Sequence, residues 1–359
     1  MPTDRPATFD RLDRALTAVS LALTAAAGFC HYVEVNAVLA FVVSGAAVGA
    51  LAALVGRAVD QLSERMSPGA TGVVQSALGN LPELFIALFA LRAGLADVAT
   101  SAVIGSILAN ILLVLGLAFT VGGLKHGTQR FSAPSVRLMV TLMLVSVGVM
   151  LLPSLTAALH TPAQHHEVTL SRIAAVVLLA IFVCSVPASL RAAAAQGVGH
   201  EAAEPPRWSL QLTVVVLSVT GLLAALVSDW FVNALGPAIE SLHMSQAFAG
   251  LVVVAIAGNA VENVVGIKLA RQNKPDYAVS VIVNSPVQIA LVLAPLLVLL
   301  SPLVGGAVFT LAFAPLLIAA VFIAMLVVTV IVLDGESTWL EGVALVGLYV
   351  VIATSFWWG

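Results

Sequence analysis

Long apolar runs, broken at charges, prolines and glycine clusters, dominate the chain. A membrane-crossing helix needs about 20 mostly apolar residues. Eleven runs qualify, at residues 14 to 31, 35 to 57, 69 to 91, 98 to 123, 134 to 154, 168 to 190, 208 to 228, 246 to 269, 277 to 300, 307 to 333 and 338 to 356. The pattern predicts an all-α polytopic membrane protein of about 11 transmembrane helices. Charge placement tests that count. With the N-terminus inside, Lys and Arg at 5, 11, 14, 57, 65, 125, 130, 137, 191, 207, 268, 271 and 274 fall on the cytoplasmic side, and only Arg92 and Arg172 fall outside. This is a strong positive-inside bias, which a wrong number of spans would scramble.

Composition agrees. Of 359 residues, 60% are hydrophobic and 9% charged, against roughly 25% charged in a soluble domain. Mean hydropathy is +1.09. The net charge of -3 comes without a basic block, so the expected partner is the lipid bilayer and not a nucleic acid. Cys30 and Cys184 lie in separate apolar runs and read as packing residues. Ala15 to Cys30 could imitate the core of a secretory signal. Asp4, Asp10 and Asp13, however, neutralise Arg5, Arg11 and Arg14, which makes a poor leader, so a retained first helix is expected.

Two polar motifs interrupt the hydrocarbon pattern. "GNLPELFIAL" begins at Gly79 and "GNAVENVVGI" at Gly258. One ungapped offset of 179 aligns Gly79 with Gly258, Asn80 with Asn259, Glu83 with Glu262, Arg92 with Arg271, Asp97 with Asp276, Ser101 with Ser280 and Ser106 with Ser285. The expected organisation is residues 1–34 as an N-terminal segment and extra first helix, 35–190 as one five-helix repeat, 191–207 as a cytoplasmic linker and 208–359 as a second repeat. Five is odd, so the repeats are inverted, as in secondary transporters that bind substrate and coupling ion near the midplane.

An ionised carboxylate at a helix centre costs on the order of 2.5 to 3.5 kcal/mol. No Lys or Arg in the proposed interior can pair with both Glu83 and Glu262, so a bound cation or a proton is the natural compensation. Asn80 and Asn259 lie three residues earlier, on the acid's helix face. Gly79, Pro82 and Gly258 weaken the helix there and free backbone carbonyls. Ser106 and Ser285 follow each acid by 23 residues, with Asn110 and Gln288 beyond. Such oxygen ligands suit a hard dication such as Ca2+, and no thiolate and imidazole set for zinc or copper is present. Gly, Asn and Ser also serve helix packing, as in "GAAVG" at Gly45 to Gly49. His160, His165 and His166, and likewise "DGESTWLEG" with Asp334, Glu336 and Glu341, read as solvated turns. Glu34, Asp60, Glu64, Asp229 and Glu240 read as interfacial, near helix ends.

"GNLPELFIALFALRAG", "GSILANILLVLG", "GNAVENVVGIKLA" and "DGESTWLEGVALVGLYVV" closely resemble the Ca2+/H+ antiporter (CAX) family of the calcium/cation antiporter superfamily, from about residue 35 to the end. The resemblance implies the eleven-helix inverted-repeat fold, with Glu83 and Glu262 alternately binding Ca2+ and protons, and no cofactor. Three features depart from it. Asn263 stands where the family usually has His, Asn284-Ser285-Pro286 where it has Gly-Ser, and the linker carries only Glu201 and Glu204 beside His200 where the family has a strongly acidic helix. The function expected is exchange of cytoplasmic Ca2+ for external protons in a prokaryotic plasma (inner) membrane. Na+/Ca2+ exchange, H+ exchange for Na+, K+ or Mn2+, and a passive cation channel are the rivals. Oligomeric state stays open, a homo-oligomer among the options.

Overall fold

A computed structural model describes residues 9–33, 35–66, 68–195 and 207–358. Asp4, Arg5, Glu34, His200, Glu201 and Glu204 lie outside the described residues. The helices are α1 (Arg11–Tyr32), α2 (Ala37–Ser63), α3 (Pro68–Leu78), α4 (Leu81–Arg92), α5 (Ala96–His126), α6 (Ala133–Ala158), α7 (Glu167–Ala195), α8 (Leu210–Leu242), α9 (Gln246–Gly258), α10 (Ala260–Arg271), α11 (Pro275–Val304), α12 (Pro315–Val332) and α13 (Trp339–Ser355). Among the described residues, nine spans are long and apolar enough to cross a membrane, with Val73–Arg92 of α3 and α4 counted as one; α9 with α10 forms a tenth as a bent pair, and α13 is a shorter apolar helix. Every predicted run therefore meets a helix. Two boundaries move. α8 runs on to Leu242, so Asp229 and Glu240 lie within it, and α12 starts only at Pro315, after Gly305 and Gly306 turn the chain with φ of 82° and 88°.

The chain divides into two compact units, Met1–Ile86 with Val186–Ser241, and Ala87–Ser185 with Leu242–Gly359. In the first, α1 packs along α2, and Gly45 admits the ring of Phe231 from α8. Asp13 is fully buried. It accepts from Arg57 Nε at 2.9 Å and from Trp208 Nε1 at 3.0 Å. Asp10, its partner in the α1 capping box, accepts from Arg207 Nη1 at 3.1 Å. Gln61 Oε1 accepts the backbone N–H groups of Arg207 and Trp208 at 2.9 and 3.0 Å. These acids therefore bond Arg57 of α2 and, at the end of the linker and just beyond it, Arg207 and Trp208.

The second unit is built around α5. Within its apolar window 89% of residues are buried, against 22% for the helix starting at Pro162, so α5 is a core element and α7 presents its side chains outward. Cys184 of α7 is accordingly exposed, whereas Cys30 of α1 is buried as expected. Gly105 of α5 lies so close to the backbone of Leu251 in α9 that a Cβ would approach its carbonyl oxygen to 2.3 Å. Gly250 lies as close to Val98 and Ser101, giving backbone-to-backbone contact through small residues. "DGESTWLEG" is more ordered than a solvated turn. β2 (Glu336–Ser337) pairs antiparallel with β1 (Gln129–Arg130), and Thr338 with Glu341 forms a capping box for α13.

Residues 307–314, predicted helical, form a non-helical segment with Phe309, Leu311 and Phe313 buried between more exposed neighbours. Backbone polar groups next to buried side chains need partners. Three buried serines supply them. Ser301 Oγ accepts from the N–H of Phe309, Ser171 Oγ from Leu311 and Ser154 Oγ from Phe313, at 2.9 to 3.0 Å. Ser154 in turn donates to the Leu311 carbonyl at 2.6 Å. The segment's start caps α4, since Ala307 N–H donates to the Leu91 carbonyl at 3.2 Å.

Candidate ion-binding site

Each acidic motif straddles a helix break. α3 stops before Gly79, which has no room for a side chain because a Cβ would lie 2.5 Å from the Gln75 carbonyl. α4 restarts at Leu81 with Pro82 in its first turn, where the missing N–H costs nothing. α9 stops at Gly258, and α10 restarts at Ala260. The symmetry extends to single hydrogen bonds. The carbonyl of Asn80 accepts from Leu84 N–H at 3.0 Å, and that of Asn259 accepts from Asn263 N–H at 3.1 Å. α4 and α10 both have 12 residues, and each restart puts the acid in the first turn of a new helix. Unpaired N–H groups and the helix dipole favour an anion there. Glu83 is 8% exposed. The side chain of Glu262 lies outside the described residues.

In the second unit, four of the expected residues form one buried network. Asn259 Nδ2 donates to the Ala255 carbonyl at 3.0 Å and to Ser106 Oγ at 3.1 Å. A carbonyl only accepts, which fixes the amide orientation and turns Asn259 Oδ1 to Asn110 Nδ2 and Ser285 Oγ, each at 3.1 Å. Asn110 Nδ2 likewise donates to the Ser106 carbonyl at 2.8 Å and reaches Ser285 Oγ at 3.4 Å. Its Oδ1 is buried and has no hydrogen-bond partner among the described residues. Ser106 and Asn110 come from α5, Asn259 from the α9–α10 break and Ser285 from α11, so both sequence repeats meet in the cluster. Asn80 instead donates to the Ser76 carbonyl, one turn back, at 3.4 Å.

π-helical turns flank the network. Ala109–Val114 in α5 and Ile289–Leu293 in α11 occupy matching places in the two repeats, and Ala249–Val254 forms a third in α9. Such turns insert one residue into a helix and are frequent at functional sites. Asn110 sits inside the first, and Gln288, half-buried one turn past Ser285, immediately precedes the second. Sequence periodicity gave no sign of these turns.

The departures from the family pattern fall in different surroundings. Asn284 is exposed, so a side chain fits where the corresponding Gly105 has none to spare. Asn263 shares a face of α10 with buried Ala270 and with Gly266, where a Cβ would press on Ile282. Its Oδ1 is buried without a hydrogen-bond partner among the described residues. Among the described residues, no three His, Cys, Asp or Glu side chains gather as metal ligands. His160 and His165 instead bracket Gln164 in a surface loop.

A membrane helix bundle with a duplicated acidic motif at broken helices has the architecture of a secondary transporter. The family model described as sodium/calcium exchanger protein matches residues 36–190 and 212–358, and the chain belongs to that family. It is 33% identical over 347 residues to a Ca(2+)/H(+) antiporter of Synechocystis sp., covering 91% of this chain and 92% of that relative. Identity to the Ca(2+)/H(+) antiporter ChaA of Bacillus subtilis is 34% over 352 residues, covering 95% and 97%. Among solved structures, native YfkE superposes with a TM-score of 0.80 at 28% identity, covering 95% of this chain and 99% of that one. The H+/Ca2+ exchanger CAX shares the fold, with a TM-score of 0.72 at 18% identity over 97% of this chain and 93% of that one.

Proposed function

We propose that the protein is a secondary active transporter that exchanges cytoplasmic Ca2+ for external protons by alternating access. Glu83 and Glu262 are the carboxylates that hold Ca2+ when ionised and protons when not. Mutually exclusive occupancy of the same acids couples the two flows. Without it Ca2+ would leak down its gradient, driven by about 2.3 kcal/mol per charge per 100 mV. The observation carrying this reading is the duplicated break that sets a carboxylate in the first turn of α4 and of α10. The 33% identity to a relative named as a Ca(2+)/H(+) antiporter supports the choice of ions.

Asn110 Oδ1 serves as a neutral oxygen ligand, because it is the network's one acceptor left without a partner among the described residues, and Ca2+ accepts six to eight oxygens including amide carbonyls. Asn80, Ser106, Ser285, Gln288 and Asn259 shape the surroundings, with Asn259 holding the cluster together. The N-terminus is cytoplasmic, a reading supported by the Lys and Arg distribution, and the host is a prokaryotic plasma membrane. Residues 35–190 and 208–359 act as the inverted halves. Purified protein in liposomes should take up Ca2+ when an outward proton gradient is imposed and not when a Na+ gradient replaces it. Uptake that needs Na+, or that persists without any counter-gradient, contradicts the assignment.

A further inference from the structure

The far end of the Glu262 helix is held by side chains from another part of the chain. An α-helix ends in carbonyls without intrahelical partners. At the end of α10, Gln129 Nε2 donates to the Ala270 carbonyl at 3.1 Å and to Asn273 Oδ1 at 3.0 Å. Lys125 Nζ donates to the Arg271 carbonyl at 3.2 Å, and His126 Nε2 lies 2.9 Å from the same oxygen. Gln129 is 3% exposed, and its side chain lies over Gly122, where a Cβ would come within 1.9 Å of Oε1. Its backbone is fixed by pairing with Ser337, and three residues on, Ser132 N–H donates to Asp276 Oδ1 of α11 at 2.6 Å.

The repeat alignment makes this contact notable. Leu91 and Ala270 correspond at the offset of 179. Leu91 is capped by the backbone N–H of Ala307, from the second repeat. Ala270 is capped by the side chain of Gln129, from the first. Each motif helix is thus tied to the opposite repeat, α4 through a backbone N–H and α10 through side chains, with the Ala270 carbonyl also accepting from the Asn273 N–H at 3.0 Å. α10 is also separated from α9 by a 62° bend. A short helix hinged at one end and pinned at the other has its first turn aimed by the pin. Glu262 precedes Ala270 by eight residues, about 12 Å of helix.

We infer that Gln129 is a positioning residue for ion binding, aiming α10 and hence Glu262 through the Ala270 cap. This rests on Glu262 being an ion-binding carboxylate. Gln129→Glu keeps the shape but sets an acceptor against two acceptors, whereas Gln129→Lys restores a donor of similar reach. In Ca2+ uptake by proteoliposomes, Gln129→Glu should raise the half-saturating Ca2+ concentration about tenfold, equivalent to about 1.4 kcal/mol, while changing the maximal rate far less. Gln129→Lys should recover most of that loss in half-saturation; both variants place a charge at a buried position and should lower the melting temperature in detergent, so uptake is compared at a temperature where each is folded.

Unaltered half-saturation in Gln129→Glu, or a lowered maximal rate and melting temperature with half-saturation intact, overturns the inference. Should Gln129→Glu not accumulate, Asn273→Ala weakens the same anchor and must raise half-saturation in the same direction. Wild type and Glu262→Gln are run alongside. If wild type shows no uptake, or Glu262→Gln remains fully active, it is the assignment of the ion-binding carboxylate that fails, whereas an active wild type, an inactive Glu262→Gln and a wild-type-like Gln129→Glu reject the positioning role alone.

Discussion

α4 and α10 arise from the same duplicated motif, have the same length and restart at the same distance before their acids, yet they are anchored by different chemistry. α4 ends on a backbone N–H from a buried segment that three serines hold in place. α10 ends on the side chains of Gln129, Lys125 and His126. At the other end, Asn259 is shared among α5, α9 and α11. Duplication has preserved the geometry that exposes the acid to a helix N-terminus. The polar groups supporting that geometry are free to diverge, because a terminal carbonyl accepts a backbone or a side-chain donor equally well.

The sharpest way to break this comparison is at the packed glycine. Gly105→Val drives a side chain into the Leu251 backbone, where no rotamer change gives relief, and should abolish monodisperse protein on size-exclusion chromatography in detergent. Next in size, Asn259→Ala removes a hydrogen-bond partner from each of the buried residues Ser106, Asn110 and Ser285. It should cost about 3 kcal/mol or more, each buried unsatisfied group being worth ~1 to 3 kcal/mol, seen as a lowered melting temperature. Ser154→Ala removes one donor and one acceptor from the segment that caps α4, and should cost about 2 kcal/mol by the same assay. Smallest of all, Asn284→Gly alters an exposed residue and should stay within about 0.5 kcal/mol of wild type.

Much of this was legible in the sequence because membrane insertion punishes polar groups. The spans and the duplicated motif followed from hydropathy and an ungapped alignment, which also marked Asn259, Ser106 and Ser285 as candidates; that these three meet Asn110 in one network depends on tertiary packing. What stayed hidden depends on tertiary partners. The segment before Pro315 is as apolar as any helix, and only the serines on distant helices make its extended backbone tolerable. Asp13 looked like a local counter-charge for Arg14, but its partners, Arg57 and Trp208, lie far along the chain. Gln129 stood in an unremarkable turn, and no local signal connects it with Ala270. The restart of each helix immediately before its acid was half-visible, since Gly79, Pro82 and Gly258 marked a weak point but not which side the new helix would begin.

The central claim is that one acid from each motif copy carries the exchanged ions. Proton-driven Ca2+ uptake into proteoliposomes, compared between wild type, Glu83→Gln and Glu262→Gln at equal protein content and equal melting temperature, tests it most directly. Both substitutions keep the side-chain shape but remove the ionisable group, so each should reduce uptake to the level of protein-free liposomes. Full exchange by either variant would contradict the account.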